Sequence, residues 1–266
     1  MTESTDPVLL DVVDGVATLT LNRPDAMNSL DIATKLSLLD AVRRVADDET
    51  VRCVVLTGSG RAFCVGQDLK EHLGILRGGR RDDLFTTVEE HYNPLVTALA
   101  SMPKPVIAAV NGVAAGAGAS LAFACDLRVL ADGAGFNLAF AGVALSCDSG
   151  SSWTLQRLVG RAKALELLYF PRTVGAEEAL SLGLATSLVP AAELGATVAE
   201  LAARLAAGPT VALASLRASL AYAAEHTLAE SLVFENEMMR RTGATADHEA
   251  AVAAFIAKEK PVFHGR

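Results

Sequence analysis

The sequence predicts an α/β fold that ends in a purely helical region. Through the first two thirds of the chain, short runs of β-branched and other apolar residues alternate with segments of helical periodicity. From about residue 164 onward, only helical periodicity remains. Because 266 residues suffice for one large domain or for a domain with a smaller appendage, we divide the chain into a core over residues 1–190 and a helical C-terminal region over residues 191–266.

The core is expected to begin with a β-hairpin, Val8–Asp11 and Gly15–Leu21, since Asp14-Gly15 is a favoured two-residue turn. Asp31 has the position of an N-cap before a helix. The apolar stripe of that helix is expected at Ile32, Leu36, Leu39, Val42 and Val45. Further core strands are expected at Val51–Thr57, Val106–Val110, Leu127–Ala131 and Phe136–Leu138, and further core helices at Leu84–Ser101 and Gly116–Cys125. Residues 72–83 are rich in glycine and charge and predict a mobile loop.

The C-terminal region is expected to consist of amphipathic helices. They are predicted at Ala164–Phe170, Ala176–Leu182, Ala192–Ala207, Pro209–Ala224, Leu228–Arg241 and Thr245–Lys258. Their apolar residues exceed what a single chain of this size can cover, which predicts self-association.

Charge and cysteine content exclude several classes of protein. The chain carries 23 Lys and Arg against 31 Asp and Glu, a formal net charge of −8, whereas a nucleic-acid-binding surface is basic. The four cysteines show no paired metal-binding or redox spacing, so reduced thiols in a cytoplasmic protein are expected. The polar N-terminus has no secretory signal character. The uncharged stretch over residues 106–125 is rich in alanine and glycine, which favours a buried strand–turn–helix over a membrane span.

Several common enzyme motifs are absent or incomplete. Gly116-x-Gly118 follows a predicted strand, but Leu121 stands where a dinucleotide-binding fingerprint has its third glycine. Gly58-Ser59-Gly60 lacks the ending of a phosphate-binding P-loop, and the sequence contains neither a serine nucleophile elbow nor a zinc-protease motif. We expect no metal site.

Five segments, in order along nearly the whole chain, carry a specific pattern. They are Asn22-Arg23-Pro24, residues 61–70, residues 104–126, residues 136–160 and the ending Lys260-Pro-Val-Phe-His-Gly-Arg266. The set closely resembles the enoyl-CoA hydratase/isomerase (crotonase) family. Within it, His91-Tyr-Asn-Pro-Leu-Val96, Asn111–Ala119 and Asp148-Ser-Gly are similar to the branch that isomerises an epoxide of phenylacetyl-CoA in phenylacetate breakdown.

The resemblance implies both an architecture and a substrate class. The fold would be a spiral of ββα units followed by helices that join chains into a homotrimer or a hexamer. The substrate would be an acyl-CoA thioester, and no cofactor would be needed beyond the coenzyme A of the substrate itself.

The resemblance also implies positions for the site. Two backbone N–H groups, those of Gln67 and Ala117, would form an oxyanion hole for the thioester oxygen, and a helix start at Ala117 favours an anion there. Substrate contacts would come from Arg23, Ala62, Phe63, Asp68, Lys70, Gly116, Ser120, Phe140 and Phe263. Arg23 and Lys70 are candidates for the phosphates of coenzyme A, and Phe263 for the adenine of a neighbouring subunit's ligand.

The candidate acid–base group departs from the hydratase pattern. Ser120 and Phe140 stand where hydratases of the family carry glutamates, so both hydratase carboxylates are missing. A carboxylate stands instead at Asp148, the position that isomerases of the family use. Phe140, Val143, Leu145 and, further along, Trp153 are expected to surround Asp148 and to raise its pKa toward that of a useful base. A plainer interpretation makes Asp148 the N-cap of the helix that follows.

Four functions remain open at this point. The favoured one is an isomerase in which Asp148 removes a proton from C2 of the thioester. The alternatives are a hydratase that works through Asp148 and a bound water, a hydrolytic dehalogenase with Asp148 as nucleophile and His91 as base, and a non-catalytic acyl-CoA binder.

Overall fold

The computed structural model describes residues 5–79 and 84–266. Its strands are β1 (Val8–Val13), β2 (Val16–Leu21), β3 (Cys53–Gly58), β4 (Ala62–Cys64), β5 (Val106–Val110), β6 (Val113–Ala115), β7 (Leu127–Ala131), β8 (Gly135–Asn137), β9 (Thr173–Gly175) and β10 (Ser187–Val189). Its α-helices are α1 (Ile32–Asp47), α2 (Leu69–Arg77), α3 (Asn93–Ala100), α4 (Ala117–Ala124), α5 (Ser151–Val159), α6 (Arg161–Tyr169), α7 (Ala176–Ser181), α8 (Leu194–Ala206), α9 (Thr210–Ala223), α10 (Leu228–Gly243) and α11 (Ala246–Ala257).

The strands form two sheets that grow together along the chain. One sheet has the order β1-β2-β3-β5-β7-β10 and the other the order β4-β6-β8-β9. Consecutive strands from β3 to β8 alternate between the sheets, and most neighbours within a sheet are parallel. Each ββα unit therefore adds one strand to each sheet, and its helix leads the chain back to the start of the next unit. This is the predicted α/β spiral of ββα units.

Local sequence signals account for the first elements. Asp14 and Gly15 both have positive φ, 49° and 79°, as a two-residue hairpin turn requires. The Asp31 side chain accepts a hydrogen bond from the Thr34 N–H at 2.8 Å and caps α1. Strand β5 is buried along its whole length, since it lies inside a parallel sheet that is covered on both faces. These predictions are confirmed.

Several predictions about elements are wrong. Helix α2 occupies Leu69–Arg77, where part of a mobile loop was expected, and residues 80–83 of that loop lie outside the described residues. The Leu84–Ser101 segment is not one regular helix, because a π-helical turn at Val88–Tyr92 leads into α3. The short strands β4, β6, β9 and β10 were not predicted, and α5, expected only as the helix after Asp148, runs over Ser151–Val159.

The helices after the spiral differ in what they cover. Helix α8 packs on the six-stranded sheet and buries Val198, Ala202 and Ala206. Helices α9 and α10 pack on each other and leave much of their apolar surface exposed. No helix within residues 5–79 and 84–266 is long and apolar enough to cross a membrane.

Candidate active site

A mostly apolar cleft of about 130 Å³ lies where the ends of β4, β6 and β8 meet the start of α4. Its lining residues are Val65, Gln67, Leu69, His72, Leu84, Phe85, Thr87, Val88, Tyr92, Gly116, Ala117, Ala139, Phe140, Val143, Leu145 and Asp148. Asp148 is the one carboxylate among these lining residues. The cleft thus brings together five of the predicted site residues: Gln67, Gly116, Ala117, Phe140 and Asp148.

The backbone around Gln67 is held in place by an isolated bridge to Leu30. The Leu30 N–H donates to the Gly66 carbonyl at 2.8 Å, and the Asp68 N–H donates to the Leu30 carbonyl at 3.1 Å. Successive N–H groups of an extended chain point to opposite sides. The Gln67 N–H therefore points away from Leu30, and no acceptor in the described part of the chain bonds to it.

The N-terminus of α4 lies directly against the segment that carries Gln67. Ala117 is the first residue of α4, so its N–H has no partner within the helix. Gly116 adopts φ 50° and ψ −124°, a conformation that glycine alone reaches easily. A Cβ built on Gly66 would lie 3.1 Å from the Ala117 nitrogen, and one built on Gly118 would lie 2.1 Å from the Cys64 carbonyl oxygen. Glycines thus permit the backbone approach that places two unpaired donors beside one cleft.

Asp148 is a half-buried carboxylate without a basic ion-pair partner in the described residues. Burial raises the pKa of its carboxyl above the ordinary value and outweighs a hydrogen bond from Ser149 Oγ at 2.9 Å and the charge of Lys35, which act to lower it. Ser149 has φ 52°, an uncommon conformation for a residue with a side chain. Strained backbone of this kind is found at functional sites more often than elsewhere.

The helix-cap interpretation of Asp148 is wrong. Gly150 is the N-cap of α5, and no side chain caps that helix. Asp148 contributes only its backbone carbonyl, which accepts from the Ser151 N–H at 2.9 Å. Its carboxylate is therefore available to the cleft. Trp153, which was expected near Asp148, lies in a different groove and donates to Glu225 at 3.1 Å.

The two positions that hydratases would fill with glutamate hold no acid here. Phe140 lines the cleft and is buried. Ser120 is fully buried beneath it, where its hydroxyl oxygen lies 2.5 Å from that of Ser151 and donates to the Gly116 carbonyl at 3.1 Å. Ser120 is thus not brought to the cleft surface.

Arg23 and Asp68 form an internal ion pair instead of facing the cleft. Arg23 bonds Asp68 at 3.2 Å, Asp31 at 3.0 Å and the Ser29 carbonyl at 2.6 Å. Burial raises the pKa of the Asp68 carboxyl, but its hydrogen bonds, beginning with that from Ser29 Oγ, outweigh burial and lower the pKa below its ordinary value. Asp68 is also the N-cap of α2. The two side chains therefore join the segment that carries Gln67 and Asp68 to the loop before α1.

The remaining predicted residues lie at varied distances from the cleft. Ala62 and Phe63 are fully buried in β4 and do not line it. Lys70 is exposed in the first turn of α2. Phe263 lies in the C-terminal tail, where its carbonyl accepts from Arg52 at 3.0 Å. His91 lines a second cavity behind Gln67, and its Nδ1 lies 3.1 Å from Thr87 Oγ1.

Sequence reasoning missed a buried lysine and a buried tyrosine at this site. The Lys35 side chain is fully buried, and its ammonium donates to Gln67 Oε1 at 3.2 Å and to Thr87 Oγ1 at 2.6 Å. The Tyr92 hydroxyl donates to the same Gln67 oxygen at 2.8 Å. The available signal was the helical phase, because Lys35 stands three, four and seven residues before the buried residues Leu38, Leu39 and Val42.

Comparison with known proteins assigns the chain to a protein family. The sequence pattern of the enoyl-CoA hydratase/isomerase family matches residues 11–266. The chain belongs to this family of acyl-CoA-binding enzymes, as the resemblance implied.

Relatives within the family carry names of different reactions. The chain is 42% identical to 1,2-epoxyphenylacetyl-CoA isomerase of Escherichia coli, over 97% of this chain and 98% of that protein. It is 36% identical to 4-chlorobenzoyl coenzyme A dehalogenase-2 of an Arthrobacter species, over 74% and 71%. The crystal structure of an enoyl-CoA hydratase from Bacillus anthracis superposes with a TM-score of 0.93 at 30% identity, covering 98% of this chain and 100% of that one. The shared fold therefore does not by itself select the reaction.

Proposed function

We propose that the protein is an acyl-CoA isomerase that moves a double bond by way of a thioester enolate. The single observation that carries this proposal is Asp148, the one carboxylate among the described lining residues of an apolar cleft that also presents the N–H groups of Gln67 and Ala117. The similarity to 1,2-epoxyphenylacetyl-CoA isomerase supports the same choice.

The reaction would begin with the thioester carbonyl between the two N–H groups. In a site that excludes water, two fixed donors stabilise a developing oxyanion by several kcal/mol. This lowers the barrier to removal of the C2 proton, and the raised pKa of Asp148 makes its carboxylate a stronger base than an ordinary aspartate. Asp148 takes the C2 proton and returns one to C4, which brings the double bond into conjugation. No cofactor takes part in this cycle.

A ring epoxide offers a second substrate for the same machinery. In an epoxide of phenylacetyl-CoA, the enolate formed at C2 would drive opening of the neighbouring C–O bond and expansion of the ring to an oxepin. The predominantly apolar lining, which includes Phe85, Tyr92 and Phe140, suits an aromatic or alicyclic acyl group.

Hydration is disfavoured because it needs one group to activate water and another to protonate C2. Among its described lining residues, the cleft offers one carboxylate for both tasks. Hydrolytic dehalogenation would need a base beside Asp148, and His91, the candidate from the sequence, faces the second cavity instead. A binder without chemistry would have no need of a half-buried carboxylate whose desolvation costs stability.

The test compares two reactions on one enzyme sample. We expect 3-enoyl-CoA isomerisation to be faster than crotonyl-CoA hydration, with both followed by thioester absorbance. Coenzyme A alone serves as the control for unspecific absorbance changes. Robust hydration with no detectable isomerisation would overturn the proposal in favour of a hydratase.

A further inference from the structure

A buried positive charge lies immediately behind the cleft. The side chain of Lys35, on α1, has no solvent exposure, and its ammonium lies 3.8 Å from Glu71 Oε1 and 5.0 Å from the centre of the Tyr92 ring. It donates to Gln67 Oε1 and Thr87 Oγ1, as described above. Burying a lysine in a protein interior is costly, since its desolvation is not fully offset by hydrogen bonds. Burial accordingly lowers the pKa of Lys35, while Glu71 foremost acts to raise it.

The contacts of Lys35 converge on one side chain. Gln67 Oε1 accepts from both Lys35 and the Tyr92 hydroxyl, and Gln67 Nε2 donates to Glu71 Oε1 at 3.3 Å. Both the oxygen and the nitrogen of the Gln67 side-chain amide are therefore hydrogen-bonded to neighbouring elements. Because a fixed side chain restricts the rotation of its own backbone, this network adds to the Leu30 bridge in holding the direction of the Gln67 N–H.

We propose that Lys35 is a positioning residue: it holds the Gln67 amide, and through it the Gln67 N–H, in the orientation that binds the thioester oxygen. Its positive charge, which lies next to the lining residues Gln67 and Thr87, also favours the enolate over the neutral thioester. The expected fall in kcat rests on the proposed function. The orientation of the Gln67 N–H does not, because it affects how any acyl-CoA thioester binds.

The charge of Lys35 acts within a group of titratable side chains. Those on the elements around Lys35 and Asp148 are Asp31, Asp68, Glu71, His72, Glu90, His91, Tyr92 and Asp148 itself. Among the described residues, Lys35 is the one cation that shifts the pKa of Asp148, and it acts to lower that pKa. Its removal is therefore expected to raise the pKa of Asp148 further and to move the acidic limb of the kcat profile to higher pH.

The experiment uses Lys35→Met, which keeps the length of the side chain but removes the charge and its hydrogen bonds. The first readout is the carbonyl stretching frequency of bound butanoyl-CoA, a saturated thioester that cannot react. In the wild type the two N–H groups lower this frequency, and in Lys35→Met we expect part of that lowering to be lost. The second readout is turnover of a 3-enoyl-CoA, where we expect kcat to fall about 10- to 100-fold and the acidic limb to shift.

Two further variants separate positioning from stability. Lys104 is a second buried lysine, whose ammonium donates to the carbonyls of Val45 and Asp48, and none of these three residues lines the cleft. Lys104→Met should lower the melting temperature without changing the carbonyl frequency or the pH profile. Lys35→Gln, which keeps a donor but no charge, should recover part of the carbonyl shift and retain the altered pH profile.

The outcomes distinguish this inference from the proposed function. An unchanged carbonyl frequency in both Lys35 variants overturns the positioning role, whatever the turnover. A changed frequency in a protein whose wild type fails to isomerise 3-enoyl-CoA supports the positioning role and overturns the isomerase. If Lys35→Met fails to fold, the frequency and pH profile of Lys35→Gln decide the question in the same way.

Discussion

Asp148 and Lys35 show how burial gives ordinary ionisable residues a special character. Burial raises the pKa of the Asp148 carboxyl and lowers that of the Lys35 ammonium, so each charged form is disfavoured in the fold. Asp148 has only a neighbouring serine as a side-chain hydrogen-bond partner, and Lys35 has hydroxyl, amide and carboxylate partners. An isolated carboxylate suits proton transfer, whereas a fully bonded ammonium suits positioning.

At the residue scale, the sequence predicted where a candidate site residue lies in the chain better than what its side chain does. Asp148 was identified, but whether it was a base or a helix cap depended on whether α5 begins with a side-chain cap. The conformations of Ser149 and Gly150, both with positive φ, decide that question and are not visible in a single sequence. Lys35 was overlooked because the apolar stripe of α1, correct at Leu39, Val42 and Val45, was misplaced in the first turns of the helix. Ile32 and Leu36, taken as core residues, are 39% and 50% exposed.

At the element scale, the close approach of α4 to the Cys64–Gln67 segment is the contact that builds the site. A Cβ at Gly118 would lie 2.1 Å from the Cys64 carbonyl oxygen, so the backbone would have to separate. We expect Gly118→Ala to lower the free energy of unfolding by about 2–4 kcal/mol, as overpacking and disturbed backbone contacts do. Urea unfolding measures the change.

Gly195 provides the matched control for that substitution. It also lies in a helix, α8, but a Cβ built there meets nothing within 4 Å. Gly195→Ala should leave stability unchanged or raise it by up to about 1 kcal/mol, because alanine is the better helix former. Equal losses in the two variants would show that the α4 contact is not tight.

The predicted elements have a recognisable local sequence pattern, whereas the elements that were missed depend on contacts between segments that are distant in sequence. Strands such as β3 and β5 are nearly continuous apolar runs that contain several β-branched residues, so they could be recognised from the sequence. The three-residue strands β4, β6, β8 and β9 carry little periodicity and exist because the spiral brings them side by side. Of these, only β8 was predicted in part. The cleft lies at the ends of this smaller sheet, so its walls could be expected only through the family resemblance.

At the scale of the whole molecule, the C-terminal helices leave a large apolar surface uncovered. Exposed apolar side chains on α9 to α11 include Leu216, Leu220, Leu228, Met239, Phe255 and Ile256, each at least 63% exposed. A monomer with this much apolar surface would be prone to association. We expect a homotrimer or a hexamer.

Sedimentation velocity at micromolar concentration tests this expectation. The chain mass is 27.7 kDa, and we expect a species of three or six times that mass. Leu220→Glu should shift the population toward smaller species, because burying a carboxylate in an apolar interface is unfavourable. Glu235→Gln, an exposed change on α10 that adds no charge, serves as the control. A wild-type species with the mass of one chain would contradict the expectation.

The turnover of Asp148→Asn tests the central claim most directly. Asparagine keeps the size and hydrogen-bonding capacity of the side chain but cannot accept the C2 proton. We expect kcat for a 3-enoyl-CoA to fall by about 10²–10⁴, while the dissociation constant of butanoyl-CoA changes little because the N–H groups of Gln67 and Ala117 remain. If Asp148→Asn instead keeps more than about a tenth of the wild-type kcat, Asp148 is not the base.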